Sequence, residues 1–297
     1  MPELPEVQTT VNGIKNNLLG LKIIDIWSDY PRKNHDGKDN IKDARYLKDF
    51  KEKVTGTKIV GASRQGKNVL IHLSNEKTIL VHMKMTGHLM YGKYSFADNR
   101  WIPEQDGALK DPYNRFIRLA FSLSNGKHLV LSDTRRFGKV QILENGNGEL
   151  KKLGPDPLLI DFEKFKSQIA KKPKGKIKTV LMDQEILAGI GNIYSDEILW
   201  ESAIHPEQKI TDLNDDILKK IFISAQKILK KGIKAGGDSM SDYRNIFGEK
   251  GKFQNFHKAY KKTGQKCLKK GCEGIIKRIK VGGRSTHFCE IHQKILK

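Results

Sequence analysis

The chain has 297 residues, a length that suits about two domains of roughly 150 residues each. Its 55 Lys and Arg against 34 Asp and Glu give a formal net charge of +21. This excess favours a polyanionic partner, most often nucleic acid, although a lysine-rich composition alone would also produce it. No run approaches the roughly 20 apolar residues of a membrane span, so we expect no membrane partner and a cytoplasmic, nucleoid-associated protein.

The first 145 residues predict a β-rich domain with one flanking helix. Apolar residues recur at helical spacing over 5–19, and Gly20 supplies a stop. Short apolar runs separated by turn residues then predict strands at 22–27, 57–63, 68–73, 78–82, 116–123, 128–131 and 139–143. This pattern favours a β-sandwich or barrel-like domain, with the polar segment 91–113 as a long surface loop.

The pattern becomes helical after Gly154-Pro155, which predicts a linker over 146–156 and a helical domain over 157–251. A long amphipathic helix is expected over 211–231, with Thr211 as N-cap and Gly232 as stop. Over 187–194, glycines separate two helical stretches, the second beginning near Asn192. Such a helix start exposes backbone N–H groups to a phosphate, but an ordinary helical hairpin explains the glycines equally well.

All three cysteines lie in the predicted C-terminal domain, 252–297, and form a Cys-x4-Cys-x16-Cys-x2-His arrangement. Paired short spacings of this kind are typical of a zinc site, and four protein ligands indicate a structural ion. The intervening residues predict a β-hairpin around Gly282-Gly283. His287 competes with His292 for the fourth position, and we prefer His292 because it repeats the two-ligand turn. The predicted ligands are Cys267, Cys272, Cys289 and His292.

Removal of Met1 would leave Pro2 at the N-terminus, where its secondary amine could form an iminium with an aldehyde-like carbon. Glu3 and Glu6 lie beside it as candidate proton carriers. Met-Pro is also an unremarkable start to a chain, and these residues alone favour that simpler interpretation.

Six motifs occur in an order that is specific when taken together. They are Pro2-Glu3-Leu4-Pro5-Glu6-Val7, Arg64-Gln65-Gly66-Lys67, His82-Met83-Lys84-Met85-Thr86-Gly87, Asp133-Thr134-Arg135-Arg136-Phe137-Gly138, Gly189-Ile190-Gly191-Asn192-Ile193-Tyr194, and Gly236-Gly237 through Asp242-Tyr243. With the zinc hairpin, they make the chain resemble the formamidopyrimidine-DNA glycosylase / endonuclease VIII superfamily over essentially its full length.

The resemblance implies an α+β multi-domain fold: an N-terminal β-sandwich, a helix-two-turn-helix domain and a C-terminal zinc-finger β-hairpin. It implies a bifunctional DNA glycosylase and AP lyase of base-excision repair, acting on damaged double-stranded DNA. In this mechanism, Pro2 attacks C1′ of the damaged nucleoside, Glu3 is the acid/base, and Lys67 lies near the lesion. β,δ-elimination then cleaves the abasic site.

The resemblance also implies DNA contacts. Three residues match wedge positions that fill the duplex after a base is flipped, and the others match phosphate-holding or DNA-binding motif positions. The wedge residues are Met85, Arg135 and Phe137, and the others are Arg136, Lys178, Asn192, Tyr194 and Arg284.

The segment from Gly236 to Tyr243 resembles the lesion-capping loop of the branch that removes oxidised purines, such as 8-oxoguanine and formamidopyrimidines. One alternative is an oxidised-pyrimidine glycosylase of the endonuclease VIII type, and another is a non-catalytic zinc-finger nucleic-acid-binding protein. The finger departs from the family pattern, whose usual ligands are four cysteines with Cys-x2-Cys at both ends. We expect one structural Zn²⁺, no nucleotide cofactor and a monomer.

Overall fold

The computed structural model describes residues 1–32, 37–143 and 148–296, with the side chains of residues 148 and 149 left aside. Its N-terminal part is a β-sandwich of two four-stranded antiparallel sheets, as predicted. The first sheet has the order β1-β8-β9-β5 and the second β10-β4-β3-β2. Their strands are β1 Ile23–Ser28, β2 Ile59–Gln65, β3 Asn68–Leu73, β4 Thr78–His82, β5 His88–Gly92, β8 Ile117–Leu123, β9 His128–Ser132 and β10 Lys139–Leu143.

Alternate side chains of each strand point into a shared apolar core. Leu119 and Leu131 of the first sheet and Val69 and Val81 of the second are fully buried there. The register pairs Val69 with Val81 and Leu119 with Leu131, which fixes the inward face of each sheet.

Helix α1 spans Leu4–Asn17 and buries Val7, Val11 and Ile14 against the same core. Pro5 at the start of the helix and a reciprocal capping box formed by Glu3 and Glu6 explain why the helix begins at Leu4. Helix α2, Ala44–Val54, was not predicted, although Asp43 caps it and Leu47, Phe50 and Val54 are buried at helical spacing.

The prediction of a long surface loop over 91–113 was wrong. The segment contains strands β6 Tyr94–Ala97 and β7 Arg100–Pro103, which pair as a hairpin and are followed by two short 3₁₀ turns. The hairpin covers the outer face of the first sheet, where Tyr94 and Leu109 pack with Met90 and Val130 in a second small core. Aromatic side chains hold the hairpin against the sheet. The many polar residues of the segment are the reason that the sequence predicted a loop.

The helical part contains α3 Phe162–Ile169, α4 Ile177–Met182, α5 Asn192–Ser202 and α6 Asp215–Lys234. Helix α6 begins four residues later than predicted, because Asn214 accepts a hydrogen bond from Ile217 N at 3.0 Å and acts as the cap in place of Thr211. It also continues through Gly232. The C-terminal hairpin is confirmed as β11 Ile276–Val281 and β12 Arg284–Cys289. None of the described helices is long and apolar enough to cross a membrane.

The chain divides into two compact units that differ from the predicted boundaries. The first comprises residues 1–148 and 235–252, and the second 149–234 and 253–297. Residues 235–252, predicted as the end of the helical domain, therefore belong with the β-sandwich. Residues 253–297, which include the hairpin, group with the helices in the second unit. The predicted sandwich–linker boundary at 145/146 lies outside the described residues.

Candidate active site and nucleic-acid interface

The N-terminal residues lie directly before α1 and are largely buried. Glu3 is 3 % exposed and Glu6 is 2 % exposed, whereas Met1 is 42 % exposed. Glu6 Oε2 accepts a hydrogen bond from Glu3 N at 2.7 Å, so the position of the Pro2-Glu3 peptide is fixed by the first turn of the helix. The structure therefore holds the two predicted catalytic residues in one defined place.

Glu6 also ties this terminus to the segment that resembles a lesion-capping loop. Its Oε1 accepts from Asp238 N at 2.7 Å, and its carbonyl accepts from the Tyr243 hydroxyl at 2.9 Å. Gly237 must be glycine, since a Cβ there would lie 2.8 Å from Glu6 Cγ and its φ is +85°. Burial raises the pKa of Tyr243 well above its usual range, so its hydroxyl stays a neutral donor.

Lys67 lies in the turn between β2 and β3 and is 7 % exposed. Arg64 connects this turn to α1, because its Nε donates to Gln8 Oε1 at 3.0 Å and its guanidinium also donates to the Gly66 carbonyl. Burial, together with the charges of Lys84 and Lys67, lowers the pKa of His82 to about 3. The imidazole beside Lys67 is consequently neutral at physiological pH.

Two neighbouring loops carry the predicted wedge. Met85, between β4 and β5, is 44 % exposed, and Phe137, between β9 and β10, is 47 % exposed. The Arg135 guanidinium stacks over the Phe137 ring at 4.5 Å. Met83, two residues earlier, is buried in the core of the sandwich by contrast. The structure brings all three wedge residues to this pair of loops.

Asp133 holds the two wedge loops together from beneath. It is fully buried, and its carboxylate accepts from Thr86 Oγ1 at 2.6 Å, from Tyr30 Oη at 2.8 Å and from Gly138 N at 2.7 Å. Thr86 in turn accepts from Arg135 N at 3.2 Å. Three donors from three segments therefore converge on one carboxylate, which makes the loops a rigid platform.

Arg136 points away from the wedge and towards β1. Its guanidinium donates to the Asp29 carbonyl and to Asp29 Oδ2, both at 2.6 Å, and Arg118 donates to the same carboxylate oxygen at 2.8 Å. Arg136 also has a left-handed backbone, with φ of +55°. Its predicted phosphate contact would therefore have to share the guanidinium with Asp29.

In the second unit, Gln184 shapes the turn that precedes α5. Its amide donates to the carbonyls of Met182 and Ile190 at 2.8 and 2.9 Å and accepts from Gly189 N at 2.9 Å. The cap of α5 is Gly191 and Asn192 is the first helical residue, so the helix begins where the sequence predicted it. The backbone N–H groups of this helix start are of the kind that binds anions.

Two of the predicted DNA contacts have fully buried side chains. Lys178 forms an ion pair with Asp196, and both side chains are completely buried. Tyr194 is 0 % exposed and stacks on Phe253 with ring centroids 4.8 Å apart. Both residues support the helical unit from within, and Lys178 is not a solvated surface lysine.

Asp196 also binds the C-terminal hairpin. Its Oδ2 accepts from His287 N at 3.0 Å and lies 2.9 Å from His287 Nδ1. The neighbouring Glu197 accepts from the backbone N–H groups of Lys258, Ala259 and Tyr260 at 2.8–3.0 Å. Two adjacent acids of α5 thus anchor the whole C-terminal segment.

The predicted metal ligands form one cluster: the donor atoms of Cys267, Cys272, Cys289 and His292 all lie within 4.8 Å of one another. Cys267 Sγ is 3.2 Å from His292 Nδ1, and Cys272 Sγ is 3.6 Å from Cys289 Sγ. Tetrahedral thiolates on one zinc ion would be about 3.8 Å apart. The cluster therefore fits a single metal ion despite the widened first spacing.

His292 fits the fourth ligand position better than His287. Its Nδ1 faces the thiols, while Nε2 lies 3.0 Å from the Trp200 carbonyl, an arrangement that fixes the tautomer of a ligating histidine. Nδ1 of His287 is occupied by Asp196 instead. Burial raises the pKa of Cys289 to about 11, and a bound cation would favour its thiolate form.

The turn of the hairpin packs close to α4. Gly282 and Gly283 both have positive φ, as a two-residue hairpin turn requires, and a Cβ on Gly282 would lie 2.5 Å from Thr179 Cγ2. Arg284 follows the turn and is exposed. The described residues thus place the predicted sites in two groups, one in each unit: the terminus, Lys67 and wedge in the first, and Asn192, Arg284 and the metal cluster in the second.

Sequence reasoning missed the acids that hold these groups. Glu6 was considered only as a proton carrier, Asp133 only as part of a motif, and Asp196 lies outside the motifs. Their partners lie as far as 232 residues along the chain, so no local spacing could reveal them. Only Glu6, which stands beside the apolar residues Leu4, Pro5 and Val7, gave a local signal.

Comparison with known proteins agrees with this architecture. Residues 1–140 match the family model of the formamidopyrimidine-DNA glycosylase N-terminal domain, and residues 153–244 match that of the formamidopyrimidine-DNA glycosylase H2TH domain. The chain is 35 % identical over 300 residues to the formamidopyrimidine-DNA glycosylase of Streptococcus mutans, covering 99 % of this chain and 100 % of that one.

Solved structures of similar proteins contain damaged DNA. A mutant of Lactococcus lactis FPG in complex with Fapy-dG-containing DNA is 31 % identical, with a TM-score of 0.80 over 99 % of this chain and 100 % of that one. The Lactococcus lactis Fpg complex with abasic-site DNA is 32 % identical, with a TM-score of 0.80 over 98 % and 99 % of the two chains.

Proposed function

Since the chain belongs to the formamidopyrimidine-DNA glycosylase family, we propose that it excises oxidised purines by means of the amine of a processed Pro2. The chain is a DNA glycosylase with AP lyase activity that acts in base-excision repair. The observation that carries the proposed mechanism is the Pro2-Glu3 terminus, held by Glu6 at the start of α1. Chromosomal DNA as substrate agrees with the expected cytoplasmic, nucleoid-associated location.

The nucleophile requires removal of Met1, because the Pro2 nitrogen is otherwise an amide without a lone pair for attack. Met1 is 42 % exposed and so accessible to an aminopeptidase. The freed amine attacks C1′ and the bond from C1′ to the base breaks. After the attacking nitrogen has lost its proton, its lone pair expels O4′, so the C1′–O4′ bond breaks, the sugar ring opens and Glu3 protonates O4′.

The resulting iminium withdraws electrons from C2′, so a C2′ proton is lost. β-elimination then breaks the C3′–O bond and δ-elimination the C5′–O bond. Lys67, which the Arg64–Gln8 contact positions beside α1, is proposed to bind the phosphate and sugar of the lesion.

Met85, Arg135 and Phe137 are proposed to fill the duplex where the damaged nucleotide leaves it. Unstacking costs a few kcal/mol, which inserted apolar side chains offset. Two exposed apolar side chains on loops that share the buried Asp133 support this role, since a mobile wedge would lose binding energy on ordering.

Asn192, Arg136 and Arg284 are proposed to bind phosphates. Lys178 and Tyr194 are proposed to contribute to DNA binding indirectly, because their buried side chains support α5 and the hairpin. Loss of either would then weaken the DNA interface through its shape, with little change in the salt dependence of binding.

The Cys3His cluster is proposed to hold one structural Zn²⁺, which would fix the hairpin that carries Arg284. Cys289→Ala removes one of three sulfur ligands and should lose zinc and DNA affinity together. Metal content by atomic absorption and DNA affinity measured on the same preparation test this. Lys270→Ala, at an exposed lysine that is not a predicted ligand, is the control. An unchanged zinc content in Cys289→Ala would contradict the predicted ligand set.

Pro2→Gly tests the nucleophile. Glycine keeps a terminal amine but replaces the secondary amine with a primary one, and an N-terminal extension blocks the amine altogether. The extended protein should bind an 8-oxoguanine duplex yet lose strand cleavage and borohydride trapping, and Pro2→Gly should trap much less than the parent. A dihydrouracil duplex alongside measures the preference for purines. Cleavage by the extended protein at the parent rate would contradict the mechanism.

A further inference from the structure

The hairpin formed by β6 and β7 encloses a cavity on the first sheet that the glycosylase mechanism does not use. The cavity has a volume of about 630 Å³ and lies entirely within the first unit. This volume is in the range of small-molecule sites, which is roughly 300–1,000 Å³. Its walls come from the end of β1, the hairpin, and the start of β8.

Aromatic faces form one part of the wall. Trp27 and Trp101 lie with ring centroids 6.1 Å apart, and Phe116 lines the same cavity. Trp27 and Trp101 are only partly buried, although they pack against the second small core. A planar ring entering the cavity would therefore meet aromatic surfaces that are already held in place by the fold.

Two arginine side chains form another part of the wall. Arg100 and Arg115 line the cavity, are exposed, and make no ion pair with any residue the structure describes. Arg115 stacks over the Phe116 ring at 4.8 Å, which places a cation beside an aromatic face. The lining acid Asp111 does not neutralise them, because Arg244 engages both of its oxygens.

A second acid lies among these groups. Asp29 lines the cavity, and its Oδ2 accepts hydrogen bonds from the guanidinium groups of Arg118 and Arg136. Its Oδ1 is buried and has no hydrogen-bond partner among the described residues. Because that oxygen has no exposed surface and the other is held by two arginines, Asp29 does not neutralise Arg100 and Arg115.

We propose that this cavity binds a nucleotide, with the base against the tryptophans and the phosphate on Arg100 and Arg115. Stacking on aromatic side chains next to a cationic wall is how proteins bind unpaired nucleotides. The nucleotide is either free or part of a single strand. The proposal does not depend on the chemistry at Pro2.

The test is a titration of the full chain, followed by tryptophan fluorescence, with dGMP in one arm and single-stranded oligo-dT in the other. Two of the three tryptophans line the cavity, so binding should quench the emission. Arg100→Ala and Arg115→Ala together should weaken dGMP binding at least about tenfold, the effect of one lost charge-assisted contact. Arg45→Ala, an exposed arginine on α2, is the matched control and should bind like the parent.

The two arms distinguish the source of the nucleotide. Weakening of both arms in the double variant supports a strand as well as a free nucleotide, and weakening of dGMP alone supports the free nucleotide. Weakening of the oligo-dT arm alone supports a strand. No quenching by either probe, or equal binding of both probes by the double variant and the parent, overturns the proposal. Excision of 8-oxoguanine by the same proteins is measured separately, and Pro2→Gly should bind dGMP like the parent, so failure at one site is distinguishable from failure at the other.

Discussion

The two units each depend on a buried acid that fastens a distant segment, but the acids do so by different means. Glu6 in the first unit accepts from two backbone N–H groups, Glu3 N and Asp238 N. Asp196 in the second accepts from His287 N and also pairs with the buried Lys178 ammonium. Removing Glu6 would leave neutral amides that water can reach after a small movement, whereas removing Asp196 would take the counter-ion from a buried charge.

The largest effect is expected for Asp196→Ala. Taking one partner from a buried ion pair costs about 3–5 kcal/mol, and the hairpin loses its contact through His287. Urea unfolding should show a marked loss of stability, and zinc retention should fall as the hairpin loosens. Asp216→Ala, an exposed acid on α6, is the control.

A second substitution, added to Asp196→Ala, separates the cost of the unpaired buried charge from the cost of the lost contact with the hairpin. Lys178→Met added to Asp196→Ala removes the buried ammonium, so part of the lost stability should return. If the double variant were no more stable than Asp196→Ala, the ion pair would not be what distinguishes the two units.

A smaller effect is expected for Glu6→Gln. The amide retains one acceptor oxygen, and its NH2 group faces a backbone N–H, so about 1–3 kcal/mol should be lost. Excision of 8-oxoguanine should fall more than duplex binding, because Glu6 joins the terminus to the 236–243 segment. Single-turnover excision measures this, with the exposed Glu52→Gln as control. Equal losses in both variants would argue against a positioning role for Glu6.

The smallest effect is expected for Gln8→Glu, which should slightly strengthen the contact between α1 and the turn that contains Lys67. The variant would convert the Arg64–Gln8 hydrogen bond into an ion pair worth less than about 1 kcal/mol at this partly exposed site. The unfolding midpoint should rise slightly at low salt, and the rise should vanish at high salt. A rise that is independent of salt would contradict an electrostatic origin.

Local patterns in the sequence predicted what depends on neighbouring residues. The cysteine spacings predicted the metal cluster, the paired glycines predicted the hairpin, and the pattern of apolar runs and turns located seven of the eight sandwich strands, all but β5. Helix α2 was equally readable from Leu47, Phe50 and Val54 and was overlooked. The hairpin over 91–113 was hidden because its apolar residues face a small outer core that only the folded sheet creates.

Contacts over long sequence separations could not be predicted in this way. Glu6 and Asp238 are 232 residues apart, and Asp196 and His287 are 91 apart. The burial of Lys178 and Tyr194 had the same cause, because their partners Asp196 and Phe253 become neighbours only when the chain folds. The family resemblance named these residues as functional, and the structure supplies the reason that their side chains are inaccessible.

The return of residues 235–252 to the first unit has a consequence for synthesis of the chain. While the ribosome is still making the helices, the sandwich lacks Asp238, whose backbone N–H binds Glu6. The segment that contains Asp238 begins more than 80 residues after residue 148, so the first unit is incomplete until that segment has been made. Domains usually fold in order as they emerge, but here the first to begin cannot be completed until residue 252 has left the ribosome. A chain that stops early in the helical unit therefore leaves the ribosome with an unfinished catalytic terminus.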